Sequence, residues 1–156
     1  MEYVYLKISF PLFLGMKTFK FTLCQPGAKP PVRAHPQDSG FDLTLLKKVK
    51  TVGKTDFYST GVCVQPCEGI YFDLVARSSI SKSGYILANG IGIIDRNYTG
   101  EILVPLIKID PSAEKLKTPI KIVQLIPRNF IEIKAVHVDF LDTTDRNSDG
   151  FGSTSY

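Results

Sequence analysis

The chain has 156 residues, one domain's worth, and its 44% hydrophobic against 22% charged residues is the balance of a globular chain, not a disordered one. A net charge of +4 suits a small anionic ligand; with no dense Lys/Arg run it does not call for nucleic acid. The apolar runs are all far shorter than the ~20 residues of a membrane-spanning helix, which excludes a helical membrane protein.

Ile, Val, Thr, Phe and Tyr make up 54 of the 156 residues, against six alanines, and this favours strands over helices. Ten prolines and twelve glycines, scattered along the chain, supply the turns that many short strands require. The three cysteines, Cys24, Cys63 and Cys67, are an odd number and argue against a disulfide framework. With only His35 and His137 beside them they also make a poor zinc set, and the apolar run around Cys63 suggests that this thiol is simply buried. A reducing, intracellular setting is expected, in cytoplasm or nucleus and not secreted.

In chain order, residues 1–15 are apolar and aromatic but lack the basic start of a signal peptide, having Glu2 and a single Lys7. They are read as an N-terminal extension or an upstream start, with Met16 as a second opening. Strands are predicted over 18–23, 41–46, 56–64, 69–76, 90–94, 101–108, 120–127 and 131–139, a rhythm that suits a sandwich or jelly roll. In the first, Phe19, Phe21 and Leu23 share a face. The continuous apolar runs 91–94 and 102–104 suggest burial on both faces. Lys47, Lys48 and Lys50 read as a solvated strand end, and 78–83 as a short helical turn. From 142 to 156 the chain is Gly, Ser, Thr, Asn, Arg and acids around Phe151, too polar to bury enough surface to order itself. The layout is a β domain over 16–141 and a flexible C-terminal arm over 142–156.

Four stretches carry possible chemistry. In Asp38-Ser39-Gly40-Phe41-Asp42, a carboxylate at a strand start could organise a water-clad Mg²⁺, or simply belong to a turn. In Arg77-Ser78-Ser79 and the residues to Gly84, a guanidinium, hydroxyls and backbone N–H groups offer what phosphate oxygens need; a polar surface loop reads the same way. From Asn89 to Glu101, glycines at 90, 92 and 100 let a ligand approach bare backbone. There Asp95, partly buried between strand and turn, would act as a general base or cap its own turn. In the tail, Arg146, Ser153, Thr154 and glycine N–H groups are anion ligands, and Phe151 is a ring suited to stacking on a planar ligand.

In this order, and with Lys121 to Ile126, these stretches resemble the five motifs of the homotrimeric dUTPases. The resemblance runs from about Gln37 to Ser155 and is most specific at Gly92-Ile93-Ile94-Asp95 with Tyr98 and at Gly150 to Thr154. It implies a trimeric β jelly roll with three sites shared between chains, each closed by the C-terminal arm of a neighbour. It further implies a dUTP diphosphatase that hydrolyses dUTP to dUMP and pyrophosphate with Mg²⁺, keeping uracil out of DNA and supplying dUMP for thymidylate synthesis. Asp95 would activate the water that attacks the α-phosphorus. Asn89 and the Gly92, Ile93, Ile94 backbone would read the uracil, with Leu103 nearby. Tyr98 would pack on the deoxyribose, and Arg77, Ser78, Ser79 and Gln124 would hold phosphates. Arg146, Gly152, Ser153 and Thr154 would take the terminal phosphate, Phe151 would stack over the base, and Asp42 would meet Mg²⁺ through water.

Three departures stand out. Pro119-Ile120 replaces a usual Gly-Asp or Gly-Glu, Thr99 a usual Arg, and Asn147, Asp149 and Ser155 usual glycines. Asp149 adds negative charge beside a triphosphate, which should weaken arm closure. The related dCTP deaminases place a glutamate ten residues beyond the position of Asp95. Here that residue is Pro105, which does no acid–base work, and Glu101 is offset from it. A dUTPase-fold binding protein without catalysis is the reading from another class, and Asp95, Tyr98, Arg146 and Phe151 speak against it.

Overall fold

The computed structural model of the chain describes residues 17–145. Within them the strands are β1 (Phe19–Leu23), β2 (Phe41–Leu45), β3 (Lys47–Val52), β4 (Thr55–Pro66), β5 (Ile70–Ala76), β6 (Tyr85–Leu87), β7 (Gly92–Ile94), β8 (Glu101–Lys108) and β9 (Ile120–Asn129). One sheet runs β1-β4-β8-β6 with β3 also on β4; the other runs β2-β9-β5-β7. All pairings are antiparallel.

Alternation along the strands builds the core between the sheets. Leu43 and Leu45, Phe72 and Leu74, and Ile122 and Leu125 point inward from one sheet; Val62, Val64, Ile102, Val104 and Leu106 meet them from the other. Phe19 of the edge strand β1 closes one end, its ring 5.0 Å from those of Phe41 and Phe72 in edge-on contacts. Strand β4 serves β3 with its first half and β1 with its second. Between the halves sits Gly61 at φ +67°, where a Cβ would lie 2.6 Å from that of Ala28, so only glycine fits this kink.

The all-β jelly-roll expectation holds, and the turn expected over 78–83 is a 3-10 turn, Ser78–Lys82. All three cysteines are free thiols. Several details differ from expectation. Residues 131–139 are not a strand: Ile131, Ile133, Val136 and Val138 are exposed, and among the described residues no strand pairs with them. Their alternation reads as a half-buried strand, but a strand also needs a partner, and none of the described strands lies alongside them. The Lys47, Lys48 and Lys50 region is a strand of its own, wholly exposed, joined to β4 by a two-residue turn at Gly53 (φ +58°). Strand β6 is three residues long and escaped a pattern-based reading. Ile91 and Ile93 are exposed and Leu103 is half-buried, since a two-layer sandwich covers one face of each sheet. Cys63 is half-buried, not buried, because it alternates with the inward Val62 and Val64. Among the described residues no helix is long and apolar enough to cross a membrane.

Candidate functional site

The site residues fall into two groups on the second sheet. The first gathers at the C-terminal end of β5. Asp42 of β2 lies opposite Gln124 of β9, which lies opposite Val75 of β5, so three strands deliver their side chains to one place. Arg77 follows β5. Its Nε donates to Asp42 Oδ1 at 2.8 Å, and a terminal nitrogen donates to the Lys121 carbonyl at 3.0 Å. The Ser79 hydroxyl donates to the same carbonyl at 3.4 Å, and the Arg77 N–H bonds the Ile122 carbonyl at 2.8 Å, which fixes the loop against β9. Gln124 donates from Nε2 to the Ala76 carbonyl at 3.3 Å. Gly40 makes room for this amide: a Cβ there would sit 2.1 Å from Gln124 Oε1. Ser78 and Ser79 are exposed on the 3-10 turn. A hollow of about 550 Å³ opens alongside, bordered by Ser79, Lys82, Lys115, Lys117 and Lys121 and also by Asp110 and Glu114, the latter paired with Lys117 at 2.8 Å, which leaves the lysines in excess. Cations, hydroxyls and a half-buried amide form a cradle with the chemistry of an anion site.

The second group is the connection from β6 through β7 to β8, which passes from one sheet to the other and back. Asn89 and Gly90 make the turn, with Gly90 at φ +65° and open space around it. Gly92 is buried, and a Cβ on it would press within 3.2 Å of Leu74 Cβ and 3.1 Å of Asn89 Nδ2. Strand β7 pairs with β5 on one side only, and being last in its sheet it presents unpaired backbone N–H and C=O groups on the other. Such an edge can read the polar rim of a planar base. Ile94 faces the core, whereas Ile93 is exposed.

Asp95 follows β7. The partial burial expected for it is absent: none of the described residues covers the end of the edge strand, and its side chain is exposed. It does not cap its turn: the Tyr98 N–H bonds the Asp95 backbone carbonyl at 3.1 Å. Among the described residues no donor is hydrogen-bonded to its carboxylate. Asp95 borders a hollow of about 510 Å³ with Tyr71, Ile93, Arg96, Asn97 and Phe130. Arg96 lies over the Phe130 ring at 5.0 Å, a cation–π contact. Tyr98 donates its hydroxyl to the Glu101 carbonyl at 2.8 Å.

The structure does not bring the two groups together. Continuing the β5–β7 register puts Asp95 beside Tyr71. Arg77 is six residues further along, roughly 20 Å at ~3.3 Å per residue. Leu103 is separate again: between the inward Ile102 and Val104 it leaves the outer face of the other sheet.

The sequence reading weighed Glu101 only as offset from a deaminase glutamate and missed its anchoring: its Oε1 accepts from Ser59 Oγ at 2.5 Å and the Gly61 N–H at 2.7 Å, while Oε2 accepts from Gln25 Nε2 at 2.8 Å. Burial, the largest single influence, raises its pKa, but the hydrogen bonds together prevail and hold it below the ordinary 4.5. It also missed Tyr71, Arg96 and Phe130. Their signal was an aromatic after β9 and a cation after β7, which become informative only once β9 and β7 are seen to flank β5. Expectations on residues 1–15, Arg146, Phe151, Gly152, Ser153, Thr154 and Asp149 lie outside the described residues.

The fold and this pair of half-sites place the molecule among the all-β jelly-roll proteins. The dUTPase family profile matches residues 27–155. A deoxyuridine 5'-triphosphate nucleotidohydrolase of Finegoldia magna is 37% identical over 116 residues, covering 74% of this chain and 78% of the relative. One from Clostridium tetani is 31% identical over 139 residues, covering 88% and 96%. Among solved structures, the Staphylococcus bacteriophage 80alpha dUTPase with dUPNHPP superposes with a TM-score of 0.73 at 20% identity, over 89% of this chain and 99% of that one. A mutant dUTPase from phage phi11 of S. aureus, described with a structural Mg(II) ion, superposes at 0.65 and 19% identity, over 81% and 99%. The chain belongs to the dUTPase family.

Proposed function

We propose that the protein is a dUTP diphosphatase, converting dUTP and water to dUMP and pyrophosphate. The observation that carries this reading is the segment from Asn89 to Glu101, which combines an edge strand, an exposed carboxylate with no donor bonded to it among the described residues, and a braced tyrosine. The backbone of Gly92, Ile93 and Ile94, with Asn89, hydrogen-bonds the uracil. A base of the wrong donor–acceptor pattern leaves polar groups unpaired, and discrimination of ~10⁴–10⁵ is within reach of such a site. Tyr98 packs on the deoxyribose where a 2'-hydroxyl would clash.

Asp95 orients a water and takes its proton as the oxygen attacks the α-phosphorus; the bond from that phosphorus to the bridging oxygen breaks, and pyrophosphate leaves. Arg77, Ser78, Ser79 and Gln124 hold the phosphates, and the Asp42 ion pair aims the guanidinium at them. Arg146, Gly152, Ser153 and Thr154 engage the terminal phosphate and Phe151 covers the uracil, as residues 142–156 close over the site as an arm. Residues 16–141 are the β domain and 1–15 an extension to it.

The donor set bears on the metal. Among the described residues no cluster of three His, Cys, Asp or Glu side chains is placed to hold an ion. One carboxylate, Asp42, fits a hydrated Mg²⁺ whose main ligands are the substrate's own phosphate oxygens. Asp42 would hold such an ion through water, and the ion would supply charge neutralisation on the phosphates.

A homotrimer with shared sites accounts for the separation of Asp95 from Arg77: the Asn89–Glu101 segment of one chain meets the phosphate cradle of another. The bare apolar side chains between Phe130 and Leu141, Phe140 at 89% exposed among them, are what an intersubunit contact would cover. An intracellular location follows from dUTP as substrate and from the free thiols. No nucleic-acid or membrane partner is needed.

The test is product analysis with Mg²⁺ and, separately, dUTP, dCTP, dTTP and UTP, alongside light scattering for the oligomeric state. Pyrophosphate and dUMP from dUTP alone are expected, with Asp95→Asn losing at least ~10³-fold in kcat. Ammonia from dCTP overturns the reaction. No turnover of any of the four by a folded trimer leaves a binding protein.

A further inference from the structure

We propose that Glu101 is a positioning residue for sugar discrimination: its anchored carboxylate fixes the peptide whose carbonyl holds Tyr98 against the deoxyribose. The inference rests on the dUTP reading above and deepens it. Glu101 opens β8 directly after the segment 95–100, opposite Cys63. Its carboxylate collects three donors from two distant places: Gln25 in the segment after β1, and Ser59 and the kinked Gly61 in β4. Ser59 is fully buried. A half-buried carboxylate gripped in this way cannot swing, so the backbone carrying it is held as well.

That backbone is what Tyr98 leans on. The phenol donates to the Glu101 carbonyl at 2.8 Å, and the ring lies against Gly100, where a Cβ would stand 2.6 Å from the hydroxyl oxygen and 2.8 Å from Cζ. The Tyr98 N–H in turn bonds the Asp95 carbonyl at 3.1 Å. One tyrosine therefore spans from the base to the start of β8, and the far end of that span is anchored by Glu101. A ring that rejects a 2'-hydroxyl by contact must be placed to within a fraction of an ångström. Its exposed position gives it little packing of its own to secure this.

Glu101→Gln keeps the side chain's shape and removes the charge: its one oxygen can still accept from Ser59 and the Gly61 N–H, but its NH2 faces Gln25, whose amide must turn over to accept it, so the charge-assisted grip is weakened. The dUTP and UTP hydrolysis of this variant is compared with that of wild type, Tyr98→Phe and the double variant, with melting temperatures alongside. Glu101→Gln should lower the dUTP-to-UTP ratio of kcat/KM about tenfold, mostly through KM for dUTP. Tyr98→Phe should move the same ratio in the same direction. The double variant should be no worse than the poorer single, because both act through one hydrogen bond.

A folded Glu101→Gln with lowered melting temperature and a ratio within about twofold of wild type overturns the proposal, since a merely structural carboxylate changes stability and not selectivity. Fully additive effects of the two substitutions overturn it too. Should Glu101→Gln fail to fold, Gln25→Ala removes one donor from outside the site. It should lower the ratio about two- to threefold, and an unchanged ratio refutes the anchoring role. Wild-type protein inactive on dUTP defeats the functional reading itself, an outcome separate from an active wild type whose selectivity ignores Glu101.

Discussion

Gly40→Ala separates the phosphate cradle from the fold that carries it. A Cβ at residue 40 would lie 2.1 Å from Gln124 Oε1, 2.8 Å from its Cδ and 2.8 Å from Ile126 Cδ1. An ordinary carbon–oxygen contact is near ~3.3 Å, so the amide must retreat by about 1 Å. That breaks its bond to the Ala76 carbonyl and withdraws it from the phosphates. The atoms displaced are the ends of flexible side chains, so the stability cost stays in the usual overpacking range of ~1–3 kcal/mol. At 2–4 °C per kcal/mol for a chain of this size, that lowers Tm by roughly 2–12 °C.

The larger effect falls on turnover. A lost hydrogen bond to a charged phosphate, worth ~1.5–3 kcal/mol, lowers kcat/KM about 10- to 100-fold in a pyrophosphate-release assay. Gly53→Ala is the control: at φ +58° with nothing within 4 Å of its Cβ, it costs ~1–2 kcal/mol in backbone strain and leaves turnover alone. If Gly40→Ala is folded and keeps kcat/KM within about twofold of wild type, the placement of Gln124 is not what the cradle depends on.

Gly84→Ala should be the more destabilising glycine change. It combines φ +74° with a Cβ 2.4 Å from that of Ala113, and its melting temperature should fall below that of Gly53→Ala. Ile133→Asp, at a position 85% exposed in the single chain, should leave the protomer folded by circular dichroism but shift light scattering toward monomer; an unchanged mass refutes the intersubunit role of this segment. The depressed pKa of Glu101 makes its carboxylate stabilising above its ordinary 4.5, a contribution lost as pH falls through its lower folded value. The stability gap between wild type and Glu101→Gln should therefore be widest near neutrality and close in acid. A gap that widens as pH drops contradicts the hydrogen-bonding assignment.

The period-2 signal was sufficient where one face meets the core, as in β5, β8 and β9, because burial enforces alternation. It failed at both extremes. Strand β3 has no buried residue, and residues 131–139 alternate without a partner strand among the described residues. Hydropathy reports that a surface wants covering, not which molecule covers it. At the site, the motif residues were legible because their backbone demands are local: Gly90 needs positive φ, and Gly92 must tolerate Leu74. Asp42 with Arg77 and Glu101 with Gln25 were not, since each pair is joined by register across strands far apart in sequence. The exposure of Asp95 was also illegible, for it depends on β7 ending its sheet.

The distance between Asp95 and the Arg77 cradle has a genetic consequence. If a working centre takes its carboxylate from one chain and its guanidinium from another, two defective alleles can repair each other. In trimers assembled at random from equal amounts of Asp95→Asn and Arg77→Ala chains, about a quarter of the centres draw an intact Asp95 from one parent and an intact Arg77 from the other. Activity would return on mixing unfolded chains and refolding them together, and not on mixing finished trimers. A protein that kept both residues in one centre within one chain would show no such recovery, whatever the proportions.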